Sequence, residues 1–161
     1  LYCSTKGGAE IQARAFAEMT HRGDKSTEAC ILYTRMVYLL TEAVSKYQDG
    51  NVADFLHECL KGTFYDASVE KPATYAAGGY VVDSMCTAVS CLAHARTFEE
   101  AVCAAANLGG DTDTNAAITG GLAGAWFGFS AIPARWVDAL APGLRQDLDI
   151  LAAAAESHRN K

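Results

Sequence analysis

The sequence predicts an all-α fold, a compact multi-helix domain. Apolar residues recur at three- and four-residue spacing along most of the chain, no stretch sustains period-two alternation, and the breaks between periodic segments carry helix-end residues. With 161 residues, half of them hydrophobic, residues 1–161 suffice for a single domain. A fold of this size buries roughly 70% of the surface its unfolded chain exposes.

In chain order, residues 8–21 show helical spacing of Ile11, Ala15 and Met19 and stop near Gly23. After Asp24-Lys25-Ser26, a face of Ala29, Tyr33, Met36, Val37, Leu40, Ala43, Val44 and Tyr47 predicts a helix of about six turns. Asp49-Gly50-Asn51 ends it. Residues 52–61 form a shorter helix with Phe55, Leu56, Cys59 and Leu60 on one side, and the stretch from Gly62 to Pro72 reads as an irregular binding loop. Gly78-Gly79-Tyr80 leads into the face Val82, Met85, Cys86, Val89, Leu92 and Ala93. Thr97 and Glu100 fit a capping box ahead of Ala101, Val102, Ala105 and Ala106. The uncharged run 115–134 reads as a buried central helix, its Gly120, Gly121 and Gly124 marking close contact with a neighbour. Pro133 opens a short helix through Trp136 and Leu140. A final helix after Pro142-Gly143 turns Leu144, Leu148, Leu151, Ala152 and Ala155 inward, with a polar tail over 156–161. Seven or eight helices result.

A formal charge of −6 and scattered Lys and Arg residues leave no basic footprint, which argues against nucleic acid as a partner. The run 115–134 carries glycines and no flanking basic cluster, which argues against a membrane span. Six cysteines lie mostly in apolar helical patterns without a Cys-x-x-Cys pair, as reduced core thiols of a cytoplasmic protein do.

The stretch with chemistry in it is Leu108-Gly109-Gly110-Asp111-Thr112-Asp113-Thr114-Asn115. Two carboxylates two residues apart, followed by a hydroxyl, place hard oxygen donors of the kind Mg²⁺, Mn²⁺ and Ca²⁺ prefer in one short turn. Gly109 and Gly110 allow positive φ and close approach of the backbone to an ion or ligand. The competing reading is that Asp111 or Asp113 only caps the following helix. An EF-hand loop is excluded, because Ala116 stands where that loop turns on Gly and Leu122 where its bidentate Glu belongs.

The run from Leu108 through Ala125, continued by Gly128 and Ala131-Ile-Pro-Ala-Arg-Trp136, resembles the ADP-ribosylglycohydrolase family. Thr20-His21 and Gly78-Gly79-Tyr80-Val81-Val82-Asp83-Ser84 are similar to further family motifs in the same order. The resemblance implies an all-α, two-metal hydrolase that cleaves the glycosidic bond between ADP-ribose and a modified residue or adduct. It implies Asp111, Asp113 and Thr114 as ligands of Mg²⁺ or Mn²⁺. It likewise implies Tyr80 packing against ADP-ribose, His21 lining the cleft, and Gly79 and Gly110 beside the substrate. Family members are about twice as long, and the Gly-Asp, Thr-Asp-Asp-Thr and phosphate-loop motifs of their first half have no counterpart here. The chain therefore resembles the C-terminal half, with the general base and remaining ligands expected elsewhere, in a longer polypeptide or a second chain. Two other readings stay open: a non-catalytic ADP-ribose-binding or scaffold domain, and an oligomerisation domain with an exposed face around Trp126, Phe127 and Phe129.

Overall fold

The computed structural model describes residues 5–21, 23–42, 50–74 and 78–159. The order is α1 (Lys6–Thr20), α2 (Asp24–Glu42), α3 (Val52–Leu60), a 3-10 turn (Phe64–Asp66), α4 (Ala67–Glu70), α5 (Val81–Ala93), α6 (Phe98–Asn107), α7 (Thr112–Phe127), a second 3-10 turn (Phe129–Ala131), α8 (Ala134–Asp138) and α9 (Pro142–Arg159). Among the described residues every regular element is helical, as the spacing predicts.

The hub is α5. Between Val81 and Ala93 its sole charge is Asp83 in the first turn, and Met85, Ala88, Val89 and Leu92 are buried. It packs against α2, α3, α4, α6 and α7. The run 115–134 was expected to supply the central helix, yet α7 buries only Asn115, Thr119, Leu122 and Ala123. Uniform apolarity indicates burial without indicating a side.

Local chemistry sets the helix ends. Thr97 Oγ accepts the Glu100 N–H at 3.1 Å, and Glu100 Oε2 accepts the Arg96 N–H at 2.8 Å. The capping box therefore forms, with its return arm one residue earlier than the motif specifies. Asn51 and Thr5 cap α3 and α1 in the same manner.

The predicted loop after Gly62 is instead the 3-10 turn and α4, with Tyr65 and Val69 in the core. Ser90 anchors the segment that follows. Its buried hydroxyl donates to the Lys71 carbonyl and accepts the Ala73 N–H, both at 2.7 Å. His57 on α3 fastens the same region, with Nδ1 2.6 Å from Asp66 and Nε2 2.8 Å from Glu70.

Other expectations change at the periphery. α1 packs on α2 through Ala9 and Ala17, and Arg35 donates to Glu10 across the pair at 2.7 Å, while Ile11 and Met19 are exposed. The residues of α9 expected to face inward, Leu144, Leu148, Leu151, Ala152 and Ala155, are all exposed. Trp126 and Phe127 pack partly into the core, Trp126 against Phe55 at 5.7 Å between centroids, which leaves Phe129 exposed. Pro133 precedes α8 rather than sitting in its first turn. Cys30, Cys86, Cys91 and Cys103 are free thiols, and burial pushes Cys91 up to about 11. Ala43, Val44, Tyr47 and Cys3 lie outside the described residues.

Two measurements check these contacts. Ser90→Ala orphans a backbone carbonyl and an N–H, and is expected to cost about 1–3 kcal/mol, read as a lower urea midpoint. The His57 imidazole titrates above its ordinary value, about 6.5, through its hydrogen bond to Asp66 first and Glu70 second. Its stabilisation is fully present below that value and is lost as pH rises through the raised folded value. Thermal stability should therefore decline from pH 6 toward 9, and His57→Gln should flatten that decline.

Candidate functional site

One large cleft, about 1220 Å³, opens between the end of α1, the first half of α2, the start of α5 and the start of α7. His21, Gly79, Tyr80 and Thr114 line it, so four of the seven residues singled out from the sequence meet in one space.

The acidic turn sits at the α7 end. Gly109 and Gly110 take φ of 84° and 74°, the left-handed region that glycine enters without strain, and this folds the chain back between α6 and α7. Asp111 occupies the residue before α7, and its side chain makes no capping hydrogen bond. The capping alternative therefore fails for Asp111. Its carboxylate reaches the Gly78-Gly79-Tyr80 turn instead, so closely that a Cβ built on Gly79 would lie 3.1 Å from Oδ2. Asp113 is exposed, and its carboxyl is held below the usual range first by the Thr114 N–H, then by a hydrogen bond with the Asp111 carboxyl and by its own N–H. The two carboxyl groups therefore converge, with Thr114 one residue on at the cleft wall. Gly110 belongs to the turn, outside the cleft lining.

The opposite wall is fixed by the backbone. The His21 N–H caps α1 by donating to the Ala17 carbonyl at 2.9 Å, and its Nδ1 lies 3.0 Å from the Thr20 hydroxyl. Tyr80 is the residue before α5, 52% exposed, with its carbonyl accepting the Ser84 N–H at 3.0 Å. Ser84 Oγ donates back to the Gly78 carbonyl at 3.4 Å, fastening the turn that approaches Asp111.

Sequence reasoning missed much of the cleft lining, including Asp24, Ser84 and Tyr33. Ser84 sits inside a motif quoted for other positions, and Tyr33 was assigned to an apolar helix face. The Tyr33 hydroxyl donates to the Ile118 carbonyl of α7 at 2.9 Å, and burial pushes the phenol up to about 12. The signal was available in Gly121, since a glycine lets a neighbouring group come close to the helix backbone.

Among the described residues, no group of three or more His, Cys, Asp or Glu side chains forms a metal cage. The donors at the turn are two carboxylates and one hydroxyl, all hard oxygen, a set that fits part of the six-ligand shell of Mg²⁺ or Mn²⁺. No described helix is long and apolar enough to cross a membrane.

The fold and site define a class: a helical domain whose cleft is bordered by an oxygen-donor turn at one helix start and a Gly-Gly-Tyr turn at another. The model of the ADP-ribosylglycohydrolase family matches residues 4–161, and the chain belongs to that family. It is 30% identical over 145 residues to an ADP-ribosyl-[dinitrogen reductase] glycohydrolase of Rhodospirillum rubrum, covering 88% of this chain and 48% of that protein. Against the ADP-ribosylarginine hydrolases Tri1 of Serratia proteamaculans (strain 568) and Pseudomonas putida (strain GB-1), identity is 45% over 62 residues and 29% over 132. Those matches cover 38% and 78% of this chain, and 17% and 34% of the relatives. A solved structure described as an ADP-ribosylglycohydrolase-related protein complex superposes with a TM-score of 0.77 at 30% identity, over 93% of this chain and 53% of that one. The chain thus spans about half the length of the relatives it matches most fully.

The turn yields a stability test. Gly110→Ala forces a side chain into positive φ and is expected to cost about 1–2 kcal/mol, seen as a lower melting temperature.

Proposed function

We propose that this chain forms the ADP-ribose-facing half of a divalent-cation-dependent hydrolase that cleaves the glycosidic bond between ADP-ribose and a modified protein residue. The observation that carries the reading is that the Asp111 and Asp113 carboxyl groups neighbour each other in the turn that leads to Thr114, the one of the three that lines the cleft. Two neighbouring carboxylates that are both ionised attract a cation, which offsets their mutual repulsion. Family membership and the names of the relatives support the hydrolase class.

In this reading Asp111, Asp113 and Thr114 hold Mg²⁺ or Mn²⁺. When bound, such an ion supplies Lewis acidity and lowers the pKa of a coordinated water. Tyr80, exposed at the start of α5, offers its ring to the ligand, and His21 borders the cleft opposite. Gly79 has no side chain, and this keeps the Asp111 carboxylate in place. The three donors of the turn fill half of an octahedral shell, so further oxygen ligands and the general base come from outside this chain, in a longer polypeptide or from a second chain. Two relatives carry arginine in their names, so ADP-ribosylarginine is the first substrate to assay.

Millimolar ADP-ribose with Mg²⁺ should raise the melting temperature of the chain, because a ligand of the folded state alone stabilises it. Asp113→Ala should abolish that rise. A wild-type chain whose melting temperature ignores both additions would falsify the reading.

A further inference from the structure

We propose that Tyr33 is a positioning residue for the acidic turn: its hydroxyl, bonded to the Ile118 carbonyl, fixes where α7 presents Asp111, Asp113 and Thr114 to the cleft. The proposal rests on the reading of that turn as a cation site. Tyr33 and Ile118 are 85 residues apart in the chain and meet at 2.9 Å across the contact of α2 with α7. Ile118 stands one helical turn beyond Thr114, and both residues line the cleft. The phenol oxygen also sits against Gly121 one turn along α7, where an added Cβ would lie 2.2 Å from it. Between that carbonyl and that glycine, α7 has one height and one rotation against α2.

A fixed point there matters because the start of α7 meets the rest of the domain through the Gly79 turn. The turn before it contains two positive-φ glycines, and Asp111 gives the helix no side-chain cap. Asp113, in the first turn of α7, is exposed. The height of that turn against α2 follows the body of α7, where the Tyr33 hydroxyl bonds. With its proton retained to about pH 12, the phenol remains a donor throughout the working range.

The test is a Mn²⁺ titration followed by paramagnetic broadening of the amide signals of residues 110–115, with thermal melting alongside. Tyr33→Phe keeps the ring and is expected to melt a few degrees lower while binding Mn²⁺ about tenfold more weakly, as loss of an outer-shell support does. Val69→Ala, in the core of α4, supplies a destabilised control that should bind Mn²⁺ as wild type does. Gly121→Ala should weaken Mn²⁺ binding in the wild-type background and add little to Tyr33→Phe, because without the hydroxyl the new Cβ meets ring carbon at 3.5 Å. Unchanged Mn²⁺ affinity in Tyr33→Phe, or an equal loss in Val69→Ala, overturns the positioning role and leaves the cation reading standing. Absence of broadening in the wild type overturns both.

Discussion

How closely α7 allows its neighbours to approach governs the rest of the cleft. Gly120 brings its backbone to the Val102 side chain, Gly124 faces the Phe98 ring, and Gly121 receives the Tyr33 hydroxyl. A Cβ at 120 or 124 would meet those side chains at 3.6 and 3.8 Å, which is ordinary contact. At 121 it would meet oxygen far inside contact distance. One glycine therefore sets the separation of α2 and α7, and the cleft is the space that opens between their first turns. Glycine is unfavourable in a helix interior by roughly 1 kcal/mol relative to alanine. Three in α7 are tolerated because packing, rather than propensity, holds most protein helices.

The same geometry links the two turns bordering the cleft. α5 is buried along most of its length and holds the Gly78-Gly79-Tyr80 turn at its start, where the Ser84 hydroxyl clips it. α7 packs against α5 and begins with the acidic turn. Because both helices start at the same edge of the domain, Gly79 and Asp111 touch although 32 positions separate them. Tyr80 and Thr114 then border one cleft as a result of helix packing alone.

Much of this was legible in the sequence, and the failures share a cause. Periodicity located the helices, and Thr97 with Glu100 marked a start to the residue. Spacing reports that a helix has an apolar face without reporting what covers it, and α9, whose leucines were expected to turn inward, exposes them. The same limit applies to α1, where Ala9 and Ala17 pack while the larger Ile11 and Met19 face outward. Between Gly62 and Pro72 the helical pieces are three and four residues long, too short for a 3.6-residue period to register. The candidate site was legible where its residues are consecutive, from Gly109 to Thr114. It was illegible where a cleft residue is held by one far away in the chain, as Tyr33 is by Ile118.

Incompleteness of the donor set follows from the geometry as much as from the length of the relatives. The donors run from Asp111, the residue before α7, to Asp113 and Thr114 in its first turn, and beyond them successive helical side chains turn away from the site. By the second turn, Asn115 is buried inside the domain, while Thr114, Ala117 and Ile118 face the cleft. A full octahedral shell would require oxygens arriving from across the cleft, where this chain offers the Asp24 carboxylate and the Thr20, Ser26 and Thr34 hydroxyls beside His21 and Tyr80. The wall facing the turn thus carries one carboxylate among hydroxyls and rings. On the proposed reading, Asp111, Asp113 and Thr114 would hold the ion at one end of the cleft, and the space lined by His21, Gly79 and Tyr80 beside them would receive the substrate.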